Sequence, residues 1–221
     1  MKRAVHVANI ALLMLLSACD NDQAQPEAGL MPQNAMITPA DITPEMIEES
    51  QRQYAKWYAG LPKLSGKMLA QLQSIEPSNG FAGNWYPCSI ELEDGSILEN
   101  VYLIDGRSQE NASYYGSWDQ YLKNPQLSAR IKAIRSSPNR LPKKHREFLY
   151  RIGESGMGYM HFTLVTNEGH EYAYTTGNFM DFMEMPDGVT YEDIKELIPH
   201  VPRRGDNRYG TLPDVKIYFQ Q

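Results

Sequence analysis

Cysteine is scarce here, with two residues, Cys19 and Cys88, in 221. A disulfide-rich scaffold is thereby excluded, and stability has to come from a hydrophobic core. Metal-ligand patterns are missing too. No Cys-x-x-Cys or His-x-x-Glu-His spacing occurs, and Asp181, Glu184 and Asp187 stand three apart, unlike the alternating ligands of a calcium loop. The expectation is a chain without metal or cofactor. Long apolar runs are absent as well. The longest, Ala4 to Ala18, is interrupted by His6 and Asn9 and falls short of the roughly 20 residues that span a bilayer. Excess positive charge is lacking: 21 Lys and Arg face 27 Asp and Glu, a net charge of −6. Nucleic acid is therefore a poor partner.

What is present begins at the N-terminus. Lys2 and Arg3, the short apolar run and the small residues after it have the layout of a secretory signal. Leu16-Ser17-Ala18-Cys19 resembles the lipobox of bacterial lipoproteins. That resemblance covers the N-terminal segment alone and implies removal of residues 1–18 and lipid attachment at Cys19. It also implies a membrane-anchored protein on the periplasmic side, with Asp20 favouring the inner membrane. Residues 19–45, rich in Gln, Pro, Ala, Asn and Asp, read as a tether, and residues 46–221 as one domain.

Local signals then punctuate the chain. Thr43-Pro44 opens a helix to about Gly60, and Ser65 to Ile75 reads as a second. Asp94-Gly95 links apolar-rich stretches 85–93 and 96–104 into a hairpin. Leu127, Ile131 and Ile134 fall at helical spacing after Asn124-Pro125, so a helix is expected there, ending at Pro138. Another helix runs from Pro142 to Ile152 and stops at Gly153. A second hairpin covers 158–166 and 170–176, turning at Asn167-Glu168-Gly169. Thr190 and Asp193 start a helix expected to reach Ile198, and Val215, Ile217 and Phe219 alternate as a closing strand. The fold class is α+β: antiparallel hairpins at about 85–104 and 158–176 plus a C-terminal strand, with helices packed on one side. Helices followed by a hairpin occur twice. The halves share little beyond a glycine-bearing lead-in and an acidic-Gly turn, which favours accidental recurrence over duplication.

Cys88, Ile90 and Leu92 alternate with polar residues, placing the thiol on the apolar face of a strand. The sharpest functional hint is charge. Nine basic residues and one carboxylate, Glu147, lie between Lys123 and Arg151. Arg130, Lys132, Arg135, Arg140, Lys143, Lys144 and Arg146 are the candidate anion- or partner-binding residues. They read as a solvated surface, as a contact for anionic lipid headgroups, or as a dock for an acidic envelope partner. The leading expectation is a non-catalytic accessory or interaction module. A periplasmic hydrolase, using a Ser155–His161 pair or two convergent carboxylates, is one alternative. A glycan-binding module built on the 14 tyrosines with Trp57, Trp85 and Trp118 is another. Gly153-Glu154-Ser155-Gly156-Met157 fails as a nucleophile elbow, because Met157 stands where glycine is required. Arg204-Gly205-Asp206 reads as chance.

Overall fold

A computed structural model describes residues 43–80, 83–109, 130–156, 158–199 and 208–220. The Cys19 lipobox, Asp20, the tether up to residue 42, Lys123, Pro125, Leu127, Trp118, His200 and Arg204-Gly205-Asp206 lie outside them. No helix among the described residues is long and apolar enough to cross a membrane.

Helix α1, Pro44–Ala59, starts where Thr43 Oγ1 accepts the Met46 amide at 3.3 Å and proline fills the first position. Its buried Trp57, with Leu61, packs against Tyr218. Helix α2, Gly66–Gln73, is capped by Ser65 in the same way. Helix α3, Lys143–Ile152, ends at Gly153, whose φ of 73° suits a residue without Cβ.

Strands β1 (Ser78–Gly80), β2 (Gly83–Leu92), β3 (Ile97–Asp105), β4 (Ile131–Arg135) and β9 (Val215–Phe219) make the first sheet. Strands β5 (Met160–Thr166), β6 (Glu171–Thr176), β7 (Ile194–Pro199) and β8 (Arg208–Tyr209) make the second. The protein is α+β with both expected hairpins, one in each sheet. The closing strand β9 pairs in parallel with β3.

Alternation along β3 and β9 gives the first sheet two faces. Val101, Leu103, Ile217 and Phe219 join Cys88, Ile90 and Leu92 under α2, whereas Tyr102, Ile104 and Tyr218 lie with Trp85 on the other side. Cys88 is fully buried and its thiol is pushed up to about 12 by desolvation, so it is a core residue. In the second sheet, Phe162, Leu164 and Tyr174 pack on Leu149 of α3.

Two expected helices are strands. The stretch placed on a helix from Pro125 is β4 where it is described, so Arg130, Lys132 and Arg135 ride at a strand and not on a helix. The helix expected from Thr190 is a single 3-10 turn, Tyr191–Asp193, that runs into β7. Asp193 does accept the Thr190 amide at 2.8 Å, but the turn it caps is not continued.

The two sheets share one connectivity. In each, a helix leads into a hairpin, the next strand returns antiparallel beside the first hairpin strand, and a late strand lies parallel to the second. The hairpin loops match bond for bond. Leu92 N–H donates to Ser96 O and Gly95 N–H to Leu92 O, each at 2.9 Å, as Thr166 does to His170 and Gly169 to Thr166. Gly95 and Gly169 have φ of 84° and 87°. The first loop thus holds three residues, Glu93 to Gly95, rather than the two expected from Asp94-Gly95.

Candidate functional site

Between the sheets lies a carboxylate without solvent exposure, Asp181. It sits in Phe179-Met180-Asp181-Phe182-Met183, an apolar run after β6 that hydrophobic burial draws inward. Among the described residues, three donors hydrogen-bond to its carboxylate. Ser78 Oγ donates to Oδ1 at 2.6 Å, Arg140 Nε to Oδ1 at 3.1 Å and Tyr150 OH to Oδ2 at 2.7 Å. Arg140 also donates to Ser78 Oγ at 3.0 Å. The Asp181 amide donates to Tyr102 OH at 3.0 Å, and its carbonyl accepts the Leu141 amide at 2.7 Å. The knot therefore joins β1, β3, α3 and the connection before α3. Burial, and then the Asp181 charge, push the Tyr102 and Tyr150 hydroxyls well above their ordinary range. Both remain protonated, Tyr150 donating to the carboxylate and Tyr102 accepting the Asp181 amide.

Beside this knot opens a cleft of about 320 Å³, lined by Glu76, Pro77, Ser78, Arg146, Glu147, Tyr150 and Arg151. Helix α3 contributes four of these at positions 146, 147, 150 and 151, which spacing puts on one side of a helix. Glu76 spans two cations: its Oε1 accepts from Lys143 Nζ at 2.5 Å and its Oε2 from Arg146 Nη2. The Lys143 hydrogen bond, ahead of the charges of Arg146, Lys143 and Arg140, holds the Glu76 carboxyl below its ordinary range. Burial first, and Arg140 second, push the Arg146 guanidinium down.

Six of the seven basic candidates fall into two groups. Arg130 pairs with Asp94, while Lys132 and Arg135 both reach Glu91 at 2.6 Å, all beside the first hairpin. Arg140, Lys143 and Arg146 gather at the knot and the cleft. Lys144 is exposed on α3 and, among the described residues, forms no ion pair; nor does Arg151, whose guanidinium stacks on Phe148 at 5.7 Å. The structure does not bring Ser155 and the His161 ring together. Ser155 Oγ accepts the His161 amide at 2.9 Å, and the ring nitrogen Nδ1 lies 3.0 Å from Thr175 Oγ1.

Chemically, the site binds better than it reacts. The Asp181 carboxylate is fully buried and already accepts from Ser78, Arg140 and Tyr150. Ser78 is tied to Asp181 and Arg140, and Glu76 is held as an anion, so it has no proton to donate at neutral pH. The described residues contain no cluster of three or more metal-ligating side chains.

No known family, curated protein or solved structure matches this chain.

The residues that sequence reasoning missed are Ser78, Glu76, Tyr102 and Tyr150, together with the role of Asp181. One signal was available: a lone carboxylate inside an apolar run is a buried charge that needs partners. Which partners it finds depends on elements far apart in the chain.

Proposed function

We propose that this chain is a lipid-anchored envelope module, held at the periplasmic face of the membrane through Cys19, that docks a partner at the α3 face. The observation that carries the reading is a convergence. The helix bearing the C-terminal half of the basic segment also supplies four of the seven cleft-lining residues. Most basic residues in that segment are satisfied internally. Lys144 and Arg151 are exposed on α3 without carboxylate partners among the described residues, leaving them available to an anionic group from outside. The module works by binding, with no covalent step assigned to it.

The test is in-cell crosslinking of the full chain, comparing the wild type with Lys144→Glu/Arg151→Glu. Both positions are exposed, so the substitutions leave the core intact. Loss of the dominant crosslinked species in the variant is expected. Retention of that species at wild-type yield would sink the proposal.

A further inference from the structure

Glu76 lies in the connection 74–77 between α2 and β1, outside any helix or strand. Its side chain is 45% exposed. Of the two cations it touches, one is far better fixed. Both stand on α3, and the Arg146 side chain is only 10% exposed, with Nη1 donating to the Leu141 carbonyl at 3.3 Å. Each carboxylate oxygen takes one cation, an arrangement that any carboxylate could adopt. The holder is built on a helix around a covered arginine, and the occupant is a surface loop. The exposed Lys143 pair contributes only about 0–1 kcal/mol, and exchange keeps Arg146 paired with a carboxylate, so replacing Glu76 by another carboxylate costs little.

We infer that Lys143 and Arg146 form a receptor for a carboxylate side chain of an acidic partner segment, and that Glu76 occupies it in the unbound protein as a displaceable internal competitor. The inference rests on the docking reading above and names what the α3 face takes. The recess selects a protein segment over lipid headgroups. Arg146 is nine-tenths covered, beyond the reach of a flat surface, and Glu147 on the same cleft wall repels a dense field of anions. An aspartate or glutamate on a protruding loop enters singly.

The probe is a blocked peptide of alternating glycine and glutamate, titrated calorimetrically into the detergent-solubilised full chain, with its glutamine counterpart as control. Glu76→Gln removes the competitor and is expected to tighten the glutamate peptide about fivefold, the scale of one exposed ion pair. Adding Lys143→Gln, at a position whose side chain is 59% exposed and safe for folding, should abolish that gain. Unchanged or weaker binding by Glu76→Gln overturns the inference, as does equal binding of the glutamine peptide. Anionic phosphatidylglycerol vesicles supply the other arm. If Glu76→Gln strengthens vesicle binding and not peptide binding, the receptor serves headgroups and the inference falls. The crosslinking of Lys144→Glu/Arg151→Glu judges the docking reading separately, because neither residue touches Glu76.

Discussion

Among the described residues, three donors, Ser78, Arg140 and Tyr150, hydrogen-bond to the Asp181 carboxylate. Asparagine at that position has nearly the same shape but turns an NH₂ group toward hydroxyl and guanidinium donors. Arg140, with its side chain 12% exposed, would lose its counter-charge in a place water barely reaches. Removing one partner of a buried pair costs about 3–5 kcal/mol. For a domain of this size, Asp181→Asn should lower the midpoint of thermal unfolding by roughly 10 °C. A shift within 2 °C in a circular dichroism melt would show that the knot contributes nothing net. Sequence reasoning reached Cys88, because alternation is a local signal. It did not reach Ser78, Tyr102, Arg140 and Tyr150 as one cluster, because nothing local joins positions so far apart.

At the scale of elements, each misread segment carries a bulge. In β4 the register against β2 passes from Ala133 to Ile131, leaving Lys132 as the extra residue of a bulge. In β7 the register against β5 passes from Glu196 to Ile194, and the extra residue is Lys195. A bulge lengthens the apolar interval from two residues to three. Ile131 and Ile134 then imitate a helical stripe, whereas before β7 it was the capping pair Thr190 and Asp193 that pointed to a helix. A lysine at each bulge also protects an edge strand against further pairing. The hairpins, in contrast, were legible because their turns carry the information locally. Their loops make a paired prediction. Added Cβ atoms at Gly95 and Gly169 meet nothing within 4 Å, so only the positive φ opposes them. Gly95→Ala and Gly169→Ala should each cost about 1–2 kcal/mol, and equally. Urea unfolding checks this; a large cost at one loop and none at the other would show that the loops are not equivalent.

Across the molecule, the two sheets repeat a pattern yet are not independent bodies. The chain builds β2, β3 and β4, goes on to the second sheet, and only then returns with β9 to finish the first. That return lies beyond the reach of local sequence signals, which gave β9 as a strand but not its parallel partner. The seam is shared as well: Trp85, Tyr102 and Ile104 of the first sheet pack with Phe182, and Trp85 stacks on Phe179 at 3.9 Å. Asp181, from the same segment as those phenylalanines, closes its hydrogen bonds on Ser78 and Tyr102 across that seam. Losing either sheet would expose the aromatic cluster and strip the buried carboxylate of its donors, costs that a half-folded state has nothing to offset. Residues 43–220 should therefore unfold in one transition. A variant with Trp57→Phe and Trp118→Phe leaves Trp85, 2% exposed at the seam, as the only tryptophan. Its fluorescence midpoint in urea should coincide with the far-ultraviolet circular dichroism midpoint, which reports both sheets. If the seam signal is lost at lower urea while most secondary structure survives, the sheets are separable units. The α3 cleft would then open before either sheet melts.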